Sequence, residues 1–152
     1  MSRRDQIRMS DAEVEDFLSG RHTMNVASFN HDGTIHLVAM WYAVVDGDPV
    51  FWTFGKSQKI RNLRRDPRTT LLVETGDGYA QLMGVEMVGQ AEVITAHDDI
   101  MAIGEAVYVR YFGEINDEVR PFVHATGAKR VGVRISVDKV VSWDHRKLEG
   151  TY

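Results

Sequence analysis

The sequence predicts a mainly β fold, in which about seven antiparallel strands close into a small barrel and short helices pack against it. Apolar and β-branched runs recur along the chain. Tight turns join these runs, the first at Asp32-Gly33, a pair typical of hairpin turns. Gly84 and Gly89 interrupt the longest run, as glycines do at bulges and barrel corners. Closure removes exposed strand edges and favours a barrel, with an open α+β sheet as the alternative.

Seven stretches have the composition of strands. Their ranges are 22–29, 35–45, 49–54, 69–75, 81–94, 129–137 and 140–144. The run at 35–45 carries bulky side chains on both faces, so we expect it to be buried on both sides or to lie against a ligand. The run at 129–137 alternates apolar with polar residues, which is typical of a half-buried strand.

Helices are predicted from their start and stop signals. Ser10 and Glu13 match a capping box, which predicts a helix near residues 10–19. Ser57 stands as an N-cap before a short helix that Pro67 ends. An apolar stripe after Asp98 predicts a longer helix, and a further short helix is expected at 117–126.

Composition excludes several classes of protein and site. The 152 residues suit one domain, 1–152, with a core of its own. The absence of cysteine excludes disulfides, thiolate metal sites and thiol nucleophiles. The histidines lack the spacing of metal ligands, so no metal site is expected. There is no long apolar run and no apolar leader, and the isoelectric point is near 5.8. We therefore expect a cytoplasmic protein that binds neither membrane nor nucleic acid.

Positive charge is concentrated in one stretch of this acidic chain. Residues 52–68, WTFGKSQKIRNLRRDPR, carry a formal charge of +5, whereas the whole chain carries −4. The cations are Lys56, Lys59, Arg61, Arg64, Arg65 and Arg68. Concentrated like charge repels itself, so a bound anion is a natural explanation. Arginines near a helix end are also favourable for purely local reasons, which leaves a structural role open for Arg64, Arg65 and Arg68.

The residues around Ser57 suit a single phosphate group. A strand runs through Thr53 into a turn, and Ser57 then begins a short helix with Lys59 in its first turn. The N–H groups at a helix start favour an anion, and hydroxyl and ammonium groups add hydrogen bonds. Ser57 could instead be only an N-cap.

This segment resembles the T-x-x-x-S-x-K segment of the pyridoxamine 5'-phosphate oxidase-like split-barrel proteins. HLVAMWYAVVDGDPVFWTF looks like that family's strand pair before the segment. DPRTTLLVETGDGYAQLMGVEMVGQAEVI looks like the pair after it, and VVSWDHRKLEGTY is similar to the C-terminal ending of one actinobacterial-type branch. The resemblance covers nearly the whole chain. It implies a split β-barrel of six to seven antiparallel strands with Greek-key-like connections, a homodimer and a flavin-type cofactor at each dimer interface.

The resemblance also implies site residues. Thr53, Ser57 and Lys59 would bind the cofactor's phosphate, with Lys56 and Gln58 beside them. Val38, Ala39, Met40 and Trp41 would line the ring system. Met83 and Gly84 would approach it from the long strand, and Trp143 would approach from near the C-terminus. Tyr42 and His145 are weak candidates for a proton donor.

Departures from the family pattern favour one branch. The basic residues that grip flavin and substrate in the vitamin-forming oxidases are absent from LVAMWYAVV, and the C-terminal Arg-x-His signature is missing. The sequence looks more like the branch that uses the deazaflavin coenzyme F420, whose polyglutamate tail would meet Arg61, Arg64 and Arg65. We therefore expect an F420-dependent reductase that passes hydride to an unsaturated small-molecule substrate. The alternatives are an FMN-dependent oxidase or reductase, a non-catalytic flavin, haem or tetrapyrrole binder, and a nucleic-acid contact through the basic stretch.

Overall fold

The computed structural model describes residues 1–20 and 22–148, and seven strands form its single sheet. The strands are β1 Met24–Phe29, β2 Ile35–Met40, β3 Ala43–Val45, β4 Asp48–Phe54, β5 Arg68–Thr75, β6 Met83–Ile94 and β7 Arg130–Asp144. They lie in the order β2-β1-β5-β6-β7-β4-β3, and every neighbouring pair is antiparallel. The mainly β prediction is confirmed.

Five helices accompany the sheet among the described residues. They are α1 Arg3–Ile7, α2 Asp11–Ser19, α3 Gln58–Arg65, α4 His97–Phe112 and α5 Arg120–Thr126, with short 3₁₀ turns at Tyr79–Gln81 and His145–Leu148. The predicted capping box of α2 is present, because Ser10 accepts a bond from the Glu13 N–H and Glu13 accepts one from the Ser10 N–H. A second capping box, Ser2 with Asp5, begins α1, which the sequence reading did not predict. None of the helices in the described ranges is long and apolar enough to cross a membrane.

The sheet curls around one core, which makes it a barrel. Val26 of β1 and Phe51 of β4 are fully buried and belong to the same apolar cluster. Four steps of the sheet order separate these strands, so a flat sheet would hold them about 19 Å apart. Their common burial therefore requires the sheet to curl. Ile60 and Leu63 of α3 join this core and cover one end of it.

The prediction of one continuous strand over residues 35–45 is wrong. The chain breaks after Met40, so that β2 and β3 lie at opposite edges of the sheet. The exposed fraction reaches 64% at Ile35 and 66% at Leu37, so β2 is not buried on both faces in the chain alone. Composition could not reveal this break because no glycine or proline marks it.

The predicted strands at 129–137 and 140–144 form one continuous strand, β7. A register shift between Val88 and Gly89 of the neighbouring strand accommodates the residue at position 138. The gap at 138–139 between the two predicted strands is thus a bulge in the ladder and not a break in the strand.

A smaller apolar cluster lies outside the barrel. Val50 of β4 packs there with Ile103 and Val107 of α4. Gly104 allows a close approach, since a Cβ at that position would lie 2.3 Å from the Trp52 ring. Helix α4 is therefore fixed against the outer face of β4.

Candidate functional site

The start of α3 brings together the hydroxyl and ammonium groups predicted to hold an anion. The Lys59 ammonium donates a hydrogen bond to Thr53 Oγ1 at 3.1 Å. Both residues are buried, with exposed fractions of 8% for Lys59 and 4% for Thr53. Since the Thr53 oxygen accepts this bond, its own proton is free to be donated to a further acceptor.

Lys59 is a buried cation without a protein anion. None of the ion pairs formed within residues 1–20 and 22–148 includes it. Burial, and secondarily the positive charge of Arg130, lower the pKa of Lys59 below its ordinary value. A buried charge is normally paired, so we expect this ammonium to bind a negatively charged group.

Ser57 is a second group at the start of α3 whose side chain lacks a hydrogen-bond partner among the described residues. It occupies the N-cap position of α3, yet its side chain makes no capping hydrogen bond. Its Oγ is buried and has no hydrogen-bond partner among the residues that the structure describes. The first N–H groups of the helix consequently lack the acceptor that an N-cap side chain usually supplies. Thr53, Ser57, Lys59 and the start of α3 therefore form a donor-rich cluster that contains no negatively charged group, and we call it the anion cluster.

A buried polar network holds α3 in place, and the sequence reading missed its centre. Asn62 is fully buried, and its amide donates to Ser28 Oγ at 3.1 Å and Asn30 Oδ1 at 3.0 Å. Its carbonyl oxygen accepts bonds from Gln58 and Arg65. These contacts fix the helix against β1, so the anion cluster sits on a rigid element.

Arg130 is a further cation that sequence reasoning missed. It lies opposite Phe54 in the β4–β7 ladder, and its guanidinium stands 5.0 Å from the centre of the Trp52 ring. Its Nε donates to the Thr126 carbonyl at 3.0 Å. Its two terminal nitrogens donate no hydrogen bond to any described residue, and it joins none of their ion pairs.

An aromatic cavity of about 570 Å³ lies beside Arg130. It opens between β4 and the helices α4 and α5. Apolar and aromatic side chains make up most of its wall, and Arg130 is the single charged residue among those that line it: Met40, Trp41, Trp52, Gly104, Val107, Tyr108, Phe112, Val119, Phe122, Val123, Thr126 and Arg130. Its volume falls within the ~300–1,000 Å³ usual for small-molecule sites.

Comparison with known proteins identifies the family. The model of the pyridoxamine 5'-phosphate oxidase family matches residues 10–144. The chain belongs to the pyridoxamine 5'-phosphate oxidase family. No similar sequence is found among the curated proteins.

The solved structures that are similar to this chain include an F420 reductase and a haem storage protein. A conserved hypothetical protein from Mycobacterium tuberculosis is 45% identical, with a TM-score of 0.93 over 100% of this chain and 95% of that one. An F420 reductase is 24% identical, with a TM-score of 0.63 over 83% of this chain and 94% of that one. The haem storage protein HutZ from Vibrio cholerae is 12% identical, with a TM-score of 0.68 over 87% and 94%. The last two likenesses show the shared fold alone.

The residues predicted to line the ring system of this family member's cofactor divide between two faces. Met40 and Trp41 line the aromatic cavity. Trp41 stacks on Tyr111 with ring centres 4.4 Å apart. Val38 and Met40 both pack partly against the barrel core, and Ala39 is exposed on the edge strand β2.

The predicted contributions from β6 and the C-terminal segment lie far from the anion cluster within one chain. Met83 and Gly84 pair with Asp144 and Trp143 at one end of the β6–β7 ladder. Thr53 pairs with Val131, which lies at the other end. The Trp143 ring covers Gly84, where a Cβ would lie 2.2 Å from it. One chain therefore does not bring these residues together with Lys59.

Neither candidate proton donor lies in the site of a single chain. Tyr42 is fully buried, and its hydroxyl donates to the Leu18 carbonyl at 2.8 Å. Burial raises the pKa of Tyr42 to about 12. This bonding gives Tyr42 a structural role in the folded chain. The His145 ring stands against Tyr79 and lies 2.9 Å, at Nδ1, from the Tyr79 carbonyl oxygen, beside the remote Met83 end.

The remaining basic residues divide by exposure. Lys56, Arg61 and Arg64 are exposed, and none of the ion pairs within the described ranges includes them. Arg65 donates to the Phe29 carbonyl at 2.5 Å and thus ties α3 to β1. Among the residues the structure describes, no group of three histidine or acidic side chains is arranged to hold a metal ion.

Proposed function

We propose that this chain is an oxidoreductase that binds a flavin-type cofactor, and that the cofactor is the deazaflavin coenzyme F420. The observation that carries the proposal is the anion cluster, where a buried lysine lacks a carboxylate partner and a buried serine hydroxyl lacks any partner. A phosphate group supplies several acceptor oxygens and negative charge to such donors. The residues present therefore fit the phosphate of a flavin-type cofactor.

Each residue has a definite task in this proposal. Lys59, Thr53 and Ser57 bind the phosphate at the start of α3, which the Asn62 network holds rigid. Met40 and Trp41, which stand at the edge of the aromatic cavity, contact the ring system. When bound, reduced coenzyme F420 would supply a hydride, and solvent would supply the proton that completes reduction of an unsaturated small molecule.

Two features favour the deazaflavin over FMN. The segment 37–45 carries no basic residue, so the grip on flavin found in the vitamin-forming oxidases is missing. Arg61 and Arg64 are exposed on α3 beyond the anion cluster, where a tail of carboxylates would meet them.

We also propose that the functional unit is a homodimer. Met83, Trp143 and His145 lie at the end of the ladder remote from Lys59 in the same chain. A second copy would allow these residues to reach the cofactor of its partner. The exposed apolar row on β2 supports such an assembly.

The test is a calorimetric titration of cofactor-free protein with coenzyme F420 and, separately, with FMN. We expect Kd for F420 to be micromolar or lower, FMN to bind at least ~10-fold more weakly, and Lys59→Met to weaken F420 binding by ~10-fold or more. Lys129→Met removes an exposed cation outside the cluster and serves as the matched control.

The other outcomes discriminate among the alternatives. Tighter binding of FMN would assign the chain to the FMN-dependent oxidases and reductases. Tight binding of either cofactor without reduction of any acceptor would favour a carrier or storage protein. Equal binding by wild-type protein and Lys59→Met would remove the basis of the phosphate assignment.

A further inference from the structure

The side chains that line the aromatic cavity indicate the chemical class of the ligand that would bind there. We propose that it binds the acceptor substrate, a planar conjugated compound with a single anionic group, and that Arg130 binds that group. The substrate role rests on the proposed function, whereas the ligand class rests on the cavity alone.

The charge of the cavity points to an anion. Arg130 lines it, and no acidic residue does. Two carboxylates stand next to wall residues in sequence: Glu105 is paired with Arg120 at 2.5 Å and His124 at 2.6 Å, and Glu118 is exposed and does not line the cavity. The terminal nitrogens of Arg130 have no acceptor among the described residues, and such a guanidinium fork suits a carboxylate.

The position of Arg130 is fixed before any ligand arrives. Trp52 supports the guanidinium by a cation–π contact, and the Thr126 carbonyl accepts from Nε. The two terminal nitrogens make no hydrogen bond to the described residues and so remain available to a ligand. A preorganised donor loses less freedom on binding than a mobile surface arginine does.

The walls point to a flat, conjugated body. Trp41, Tyr108 and Phe112 form a connected aromatic group, with ring centres 5.6 Å apart for Trp41–Phe112 and 5.0 Å for Tyr108–Phe112. Phe112 and Phe122 are 61% and 75% exposed at the cavity. Large aromatic rings exposed together are costly in water and mark a surface that a ligand covers.

The cavity is distinct from the anion cluster. Side chains alternate along β4, so Trp52 faces α4 whereas Thr53 faces the barrel side with Lys59. The charge of Arg130 still reaches Lys59 and lowers its pKa, so a ligand in the cavity and a phosphate at the cluster would occupy adjacent sites on opposite faces of β4.

The test compares 2-naphthoate with 2-naphthamide, which has the same ring system without the charge. Binding to the full-length, cofactor-free protein is measured by calorimetry, then repeated with saturating cofactor. We expect naphthoate to bind at least ~10-fold more tightly than naphthamide, and Arg130→Gln to abolish that preference while leaving naphthamide binding within about 2-fold. Lys129→Gln, which neutralises the exposed neighbouring residue, should change neither affinity.

A second variant covers the case in which Arg130→Gln fails to fold. Val119→Phe adds bulk to the cavity wall and should weaken both probes together. Equal affinity for the two probes, unchanged naphthoate binding in Arg130→Gln or Val119→Phe, or displacement of naphthoate by the cofactor would each overturn the inference. If naphthoate binds with the expected charge selectivity but neither F420 nor FMN binds, the ligand class stands and the proposed function fails.

Discussion

A lysine ammonium that is buried and faces no carboxylate destabilises the folded chain that contains it. Lys59 is in this position, with Thr53 as its hydrogen-bond acceptor. Residues that serve only the fold are normally stabilising where they stand, so a buried cation that is costly without a ligand is a sign of function. The lowered pKa of Lys59 expresses the same cost, because burial disfavours its charged form.

Replacing Lys59 with Met should separate binding from stability. The methionine fills similar space without charge, so the free energy of unfolding of cofactor-free protein should stay unchanged or rise by about 1 kcal/mol, while F420 binding falls. Because the Lys59 pKa is lowered, wild-type protein should gain stability as the pH rises through that pKa toward 10.5, and the variant should not. Thermal unfolding between pH 7 and 10 measures both effects. A clear loss of stability in Lys59→Met would indicate a purely structural lysine.

Local spacing predicted part of this site and could not predict the rest. Thr53 and Lys59 lie six residues apart on a strand and the helix that follows, so their meeting is a short-range consequence of the sequence. Arg130 reaches the site through pairing of β7 with β4, and Asn62 meets Ser28 across 34 residues. The bond from the Tyr42 hydroxyl to the Leu18 carbonyl spans 24 residues, so it too is visible only after the chain has folded.

At the scale of whole elements, the predicted number of strands was right because two errors cancelled each other. The break between β2 and β3 was missed, and the bulge within β7 was taken for a break between two strands. Both errors concern continuity, which depends on what lies beside a strand rather than on its composition. Helix α2 was predicted well because its capping box acts within four residues.

Helix α5 is held to α4 by one carboxylate, and this contact should make stability depend on acid pH. Hydrogen bonding from Arg120, and to a smaller extent from His124, lowers the pKa of Glu105 below 4.5. Its contribution is therefore present above pH 4.5 and is lost as the pH falls through the lowered value. Glu105→Gln should cost about 1 kcal/mol at pH 7, and its difference from wild type should shrink below pH 4.5.

Thermal unfolding of wild type and Glu105→Gln from pH 7 to pH 3.5 measures that difference. Glu118→Gln removes a carboxylate from the exposed segment before α5 and provides the control. Stability curves for wild type and Glu105→Gln that remain parallel down to pH 3.5 would show that the contact contributes nothing that titrates.

For the whole molecule, the outer face of the sheet is the feature that one chain leaves unexplained. Phe29 of β1 pairs with Ile35 of β2, and two residues further along Ala27 pairs with Leu37, so their side chains share one face. Ile35 and Leu37 are about two-thirds exposed, and β2 is an edge strand. An exposed apolar edge strand invites association unless something covers it.

A charge placed on this face should both disrupt the proposed homodimer and weaken cofactor binding. Leu37→Glu puts a carboxylate into the proposed interface, where burying it unpaired costs several kcal/mol, so we expect a monomer. Lys59 is untouched, yet F420 affinity should fall at least ~10-fold, because the partner's Met83 end no longer reaches the cofactor. Val109→Glu, a similarly exposed apolar site on α4, should remain dimeric. Sedimentation velocity with calorimetry on each variant measures both properties. A monomeric Leu37→Glu that binds F420 as tightly as wild type would place the complete site within one chain, and a wild-type protein that sediments as a monomer would remove the interface altogether.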